Sequence, residues 1–275
     1  MAAEEVRGVD AETGAAPSID TGVAHIARVQ DYWLGGKENY AADREAGDEG
    51  IRAFPDMVAS VRNTRAFLAR SVRYLAAEAG IRQFLDIGTG LPAASNTHEV
   101  AQSIVPDARV VYVDNDPIVL VHARALLDSH PAGATDYLDA DIRNPEHILA
   151  QAARTLDFSR PIALMLIAVL QFVPDEDDPY GVVERLKAAV PSGSYLAISH
   201  PASDIQATQM VSMAKRLSQL MVQKVTVRSH DQVARFLDGW ELLPPGLVRA
   251  PEWRPAAPED AATPSTMWSG VARKP

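Results

Sequence analysis

The sequence predicts a doubly wound α/β fold, and three stretches carry that prediction. Gln83 to Ala94 reads Q-F-L-D-I-G-T-G-L-P-A-A. Phe84, Leu85 and Ile87 make an apolar strand that breaks at Gly88 and Gly90, where backbone can turn sharply and approach a ligand. Arg109 to Pro117, R-V-V-Y-V-D-N-D-P, is a second apolar strand, ending in Asp114. Tyr137 to Pro145, Y-L-D-A-D-I-R-N-P, closes a third with Asp141 in its loop. Strands that end in carboxylates, with helical segments between them, describe a Rossmann-like sheet whose ligand lies outside the carboxyl edge.

The first stretch reads as strand, acidic residue, glycine loop and helix start, with Pro92 suited to the first helical turn. Two ligand classes fit it. G-T-G-L-P-A matches the loose dinucleotide fingerprint G-x-G-x-x-A, which would make the protein a nicotinamide-dependent oxidoreductase. D-I-G-T-G also matches the D-x-G-x-G opening of class I S-adenosylmethionine-dependent methyltransferases. Asp86 favours the second, because a carboxylate there crowds a pyrophosphate but attracts an ammonium. Asp114, just before Asn115, can accept ribose hydroxyls. Asp116 reads as the cap of the next helix, with Pro117 at its first position.

Composition narrows the classes further. The 275 residues suit one α/β domain with additions. No apolar run is long enough to span a bilayer and the beginning is acidic and polar, so a cytoplasmic protein with no membrane partner is expected. The absence of cysteine excludes disulfides, cysteine-ligated zinc and a thiol nucleophile. A net charge of −10 without a Lys/Arg cluster argues against nucleic acid as a partner. The seven histidines have no metal-ligand spacing, and no metal is expected.

Along the chain, residues 1–20 read as a disordered tail and 21–80 as an N-terminal helical region. Tyr32 and Trp33 precede the paired Gly35 and Gly36, a composition suited to a hinged lid, with Lys37 and Asn39 as polar contacts. Met57 to Ala79 is a helix with an apolar face of Val61, Ala66, Phe67, Val72 and Leu75, stopped by Gly80. It carries Arg65, a candidate two-pronged partner for a carboxylate, whereas Arg70 and Arg73 read as solvated helix charges. Residues 81–275 then form the core.

The combination D-Y-W-L-G-G-K-E-N, N-T-R-A-F-L-A-R-S-V-R-Y-L, Q-F-L-D-I-G-T-G-L-P and V-V-Y-V-D-N-D-P resembles an actinobacterial family of S-adenosyl methyltransferases, long catalogued as a domain of unknown function. The resemblance covers nearly everything after the tail. It implies a class I methyltransferase sheet under an N-terminal helical cap, with S-adenosyl-L-methionine as cofactor. On the family pattern Asp86, Gly88 and Gly90 lie on the methionine side, Asp114 beside ribose, and Asp141 with the Ile142 amide against adenine. It also sets Tyr32, Lys37, Asn39 and Arg65 beside the pocket.

The fourth strand, residues 161–170, is continuously apolar and ends near Ala168, where the transferred methyl should lie. Relatives carry a histidine near the position of Gln171, and glutamine cannot act as a base. Asp177 to Tyr180, D-D-P-Y, is better explained by Asp178 capping a helix with Pro179 at its first position than by chemistry. His200 ends the fifth strand and is the candidate general base, while His98 either lines the site or caps a helix. An added helix near 203–223 carries Met210, Met213 and Met221, suiting a substrate-facing lid or a homo-oligomer contact. Leu242–Val248 and Met267–Lys274 read as a final antiparallel pair. Together these readings specify methyl transfer to an oxygen or nitrogen of a small molecule, with a non-catalytic S-adenosylmethionine-binding protein and the oxidoreductase as alternatives.

Overall fold

The computed structural model describes residues 20–116, 118–119 and 129–275. Residues 1–19 of the expected tail, and Pro117, lie outside the described residues.

Parallel pairing builds the centre of the sheet. β1 (Gln83–Ile87) lies between β2 (Arg109–Asp114) and β4 (Ala163–Ile167); β3 (Ala134–Asp139) flanks β2, and β5 (Tyr195–Pro201) flanks β4. The full order is β3-β2-β1-β4-β5-β8-β6, with β8 (Met267–Arg273) running antiparallel to β5. Every residue of β1, β4 and β5 is buried, which is why these strands are apolar along their length instead of alternating. The expected C-terminal pair is more broken than the sequence suggested. Its first member is two short pieces, β6 (Glu241–Leu242) and β7 (Val248–Arg249), both on β8, and Pro244 and Pro245 between them cannot donate ladder hydrogen bonds.

Among the described residues three helices precede the sheet: α1 (Ile26–Leu34), α2 (Ala41–Ala53) and α3 (Met57–Ala77). Gly35, in the left-handed region at φ +83°, ends α1 and returns its amide to Asp31 and Tyr32 carbonyls. The long α3 belongs to two cores. Its C-terminal half packs Phe67, Leu68, Val72 and Leu75 on the sheet, where Trp253 meets Phe67 edge-on at 5.4 Å. Its first residue, Met57, joins Trp33, Phe54 and the methionines of α7 (Ala207–Leu220) in a separate cluster. The added helix is thus a fourth wall of the cap, 130 residues or more along the chain from its partners.

On the remaining flanks are α4 (Thr97–Ile104), α5 (Pro145–Ala152), α6 (Pro179–Ala189) and α8 (His230–Ala234). Asp178 caps α6 through the Gly181 amide, with Pro179 at its first position, as the D-D-P-Y reading required. Arg70 departs from its expected role as a solvated charge. It is half-buried and donates to the carbonyls of Trp253 (2.9 Å) and Ala250 (2.7 Å), pinning the C-terminal loop to α3, whereas Arg73 is exposed.

Candidate functional site

The carboxyl ends of β1, β2 and β4 open into one cleft. Gly88 follows β1 at φ +76°, and a Cβ there would meet Val169 at 2.3 Å, so only glycine allows β1 and β4 to close at this point. Gly90, at φ +67°, has open space beside it, a cradle a ligand can fill. The helix expected from Pro92 starts later. α4 begins at Thr97, because Asn96 caps it and Glu99 returns a bond to the Asn96 amide. Residues 91–96 therefore form a loop, and the glycines do not run straight into a helix N-terminus as a diphosphate site requires.

Asp114 holds the loop in shape. One carboxylate oxygen accepts the Gly90 amide at 2.8 Å and the other the Asp116 amide at 3.0 Å. Burial raises its pKa, and those two amides oppose the rise. Asp86 accepts the Thr97 hydroxyl at 2.6 Å, and burial pushes it up to about 6 against Thr97 and the nearby Arg65. Arg65 reaches the same loop, donating to Ala94 O at 3.3 Å and Asn96 Oδ1 at 3.4 Å, with its Nε unpartnered and buried.

Across the cleft, Asn115 donates to Asp141 at 3.2 Å, and Asp141 also accepts three bonds from Arg143. Burial alone would raise Asp141, and Arg143 outweighs it, holding the carboxyl below its usual range. Gly90, Asp114, Asn115, Asp141 and Ile142 line a cleft of about 660 Å³. Gly88 and Ala168 line both that cleft and a neighbouring cavity of about 870 Å³ counted with the solvent at its mouth. Ala168 is in the left-handed region at φ +54°, a strained position for an alanine and one found where a site re-aims its backbone. Its amide donates to Ser199 O and its carbonyl accepts Gln171 Nε2 at 2.8 Å.

Four expected site residues are not brought together with these. Tyr32 turns its hydroxyl to Asp48 at 2.8 Å and packs its ring on Gly47, while Trp33 beside it faces the cavity. The helical period explains this: neighbours on a helix point about 100° apart, so the aromatic pair cannot face one ligand. Lys37 is exposed, and Asn39 bridges Asp31 and the Gly36 carbonyl within its own loop. His200 is fully buried outside both linings. Its Nε2 sits 2.9 Å from Arg228 Nη1 and its Nδ1 3.0 Å from Pro201 O. Burial and then the Arg228 charge lower it to about 3, and with both ring nitrogens engaged by Arg228 and Pro201 it has no free nitrogen turned to the cleft. His98 is likewise buried, bonded to the Tyr112 hydroxyl at 2.8 Å.

Residue reading missed the part of the site supplied by α1. His25, Ile26, Ala27 and Gln30 line the same cleft as Gly90 and Asp114, and His25 Nδ1 lies 2.6 Å from Asp116 Oδ2. The spacing of Ile26 and Gln30 puts them on one helix face, the only signal the sequence offered. Among the described residues no group of three His, Cys, Asp or Glu could hold a metal ion, and no helix is long and apolar enough to cross a membrane.

A seven-stranded path with one reversed strand, an acidic residue at the end of each of the first two strands and a glycine turn between them define a class I methyltransferase fold. A family model described as S-adenosyl methyltransferase matches residues 12–275, and the chain belongs to that family, as its motifs suggested. A DUF574-family protein of Streptomyces avermitilis is 44% identical over 93% of this chain and 99% of its own, with a TM-score of 0.89. A Thermobifida fusca structure is 41% identical over 93% and 96%, with a TM-score of 0.86. An S-adenosylmethionine-dependent methyltransferase of Anabaena variabilis, 12% identical with a TM-score of 0.52 over 95% and 98%, shares the fold alone. No curated protein matches. The family's cofactor is S-adenosylmethionine, and the open cradle at Gly90 and the buried carboxylates fit its cationic and hydroxyl-bearing groups.

Proposed function

We propose that this chain transfers a methyl group to a nitrogen or oxygen of a small molecule held between the cap and the sheet. The observation that carries the reading is the meeting of two differently lined spaces at Gly88 and Ala168: one edged by Asp114, Asn115 and Asp141, as suits the cofactor, and one walled chiefly by apolar side chains, as suits an acceptor. S-adenosylmethionine, when bound, supplies an electrophilic methyl on a sulfonium. The chain's own part is to orient and to exclude water. In this reading Asp114 accepts ribose hydroxyls, Asp141 and the Ile142 amide meet the adenine, and Asp86 with Arg65 holds the charged methionine end.

Nitrogen is the better acceptor. Among the described residues lining the cavity, the titratable side chains are Arg65 and Asp86, and both belong to the methionine end. A hydroxyl would have to lose its proton to a base that the lining does not offer, whereas a neutral amine attacks through its lone pair and sheds the proton afterwards. The test is S-adenosylhomocysteine formation across matched amines and alcohols. Turnover confined to amines is expected. Binding of S-adenosylmethionine without turnover on any acceptor would favour the second reading, a non-catalytic binding protein, which the missing base keeps in view.

A further inference from the structure

The larger cavity has a chemistry of its own. Its walls come from the cap and from α7, with Trp33, Phe54, Met57, Met210, Met213 and Leu217 turned into it. Charge is confined to Arg65 and Asp86 at the glycine-loop end, where each faces the other's opposite sign. The hydroxyl groups nearest the apolar walls already have protein partners: Thr64 donates to the Ser60 carbonyl at 3.0 Å, and Ser60 Oγ accepts the Thr266 amide at 3.3 Å. Gln171 differs. It is 95% buried, since 5% of its surface is exposed, and its Nε2 is fixed on Ala168 O, while its Oε1 has no partner in the protein. A buried amide oxygen without a donor is costly unless something supplies one.

From these features, and resting on the methyl-transfer reading, we infer that the acceptor is an uncharged, largely apolar molecule that presents one N–H or O–H donor to Gln171. An ionised acceptor would lose its hydration in this cavity without gaining a counter-ion, which disfavours carboxylates and phosphates, and a sugar would bury more hydroxyls than the walls can pair. The methionines of α7 make the walls adaptable, so the apolar body can vary more than the donor can. Gln171, in the turn directly after β4 and tied to Ala168, sets that donor beside the point where the two spaces meet. The glutamine thus reads the acceptor's polar atom and does not take its proton.

The experiment uses three probes with one ring system on the intact protein saturated with S-adenosylhomocysteine. N-phenyl-1-naphthylamine is neutral with a single N–H, its N-methyl derivative lacks the donor, and 1-anilinonaphthalene-8-sulfonate adds a charge. Fluorescence titration should give one saturable site for the first probe, with the other two about tenfold weaker. Gln171→Leu should bring the N–H and N-methyl probes within about twofold of each other while leaving S-adenosylhomocysteine affinity in place. Met213→Trp, which fills the cavity, should exclude the probes and also keep the cofactor product bound, so a folding defect in either variant is visible independently.

Equal or tighter binding of the sulfonate, equal binding of the N-methyl probe, or discrimination that persists in Gln171→Leu would overturn the inference. So would a protein that binds S-adenosylhomocysteine and takes up none of the probes, with the methyl-transfer reading left standing. A wild type that fails to bind S-adenosylhomocysteine brings down the methyl-transfer reading, and the inference with it.

Discussion

The two halves of the cleft are built by different means. The half proposed for the cofactor comes from strand ends of one sheet, and its carboxylates are fixed by backbone amides of the adjoining loops: Gly90 and Asp116 on Asp114, Arg143 on Asp141. The half proposed for the acceptor is walled mainly by side chains of α1, α3 and α7 with Phe54 after α2, packed in a hydrophobic cluster of their own. One half is rigid because its geometry is local. The other is shaped by packing between distant segments and can change its contents without disturbing the sheet. That division lets the contents of one half change while the other is kept.

The largest effect should come from Asp114→Ala. It removes a cleft carboxylate and leaves the Gly90 and Asp116 amides without an acceptor, so S-adenosylhomocysteine affinity should fall by about a hundredfold or more, roughly 3 kcal/mol. Probe binding in the acceptor cavity should change little. Comparable losses at both ligands would break the division between the halves.

Acidity should act on the cofactor half next. With its pKa raised to about 6, Asp86 is protonated at lower pH and must release that proton before it can pair with an ammonium. S-adenosylmethionine affinity should weaken by up to about tenfold per unit below pH 6, and Asp86→Asn should flatten that dependence at a lower affinity throughout. Calorimetry between pH 5 and 8 checks the slope; a steady affinity in wild type would remove Asp86 from the methionine end.

His200 bears on stability instead. Its pKa is about 3 in the folded protein against an ordinary 6.5, so the unfolded chain binds more protons between those values and folding weakens as pH falls through that window. The slope approaches about 1.4 kcal/mol per unit from this residue. His200→Gln keeps an acceptor for Arg228 and should reduce the acid sensitivity measured by denaturant titration, while methyl transfer near neutrality stays within about threefold. Loss of the reaction with an unchanged fold would restore His200 as the base. The smallest effects are expected at Tyr32→Phe and Lys37→Ala, which should leave cofactor affinity within about twofold, Tyr32→Phe costing about 0.5 kcal/mol for its exposed bond to Asp48.

The same contrast explains what the sequence made legible. Asp86, Gly88, Gly90 and Asp114 announce themselves because strand, turn and carboxylate lie within a few residues, and a strand buried on both faces is apolar throughout. Asp178 and its proline declared their helix for the same local reason. His25 and Gln30 gave no such signal, since only the tertiary placement of α1 over β2 makes them site residues. His200 misled because a strand end predicts proximity to the ligand but not burial: Arg228, 28 residues on, covers it. Tyr32, Lys37 and Asn39 sit in a distinctive motif, but Tyr32 bonds Asp48 on α2, Asn39 bonds Asp31 and Gly36 beside it, and Lys37 is exposed. Arg70 looked solvated because its partners, Ala250 and Trp253, lie about 180 residues away.

The most direct test is calorimetric titration of S-adenosylhomocysteine into wild type, Asp114→Ala and Gln171→Leu side by side. One site in wild type, lost in Asp114→Ala and kept in Gln171→Leu, is the result expected of a cleft with a polar cofactor half and a separate acceptor half. Unchanged affinity in Asp114→Ala, or loss in Gln171→Leu with the fold intact, would contradict it.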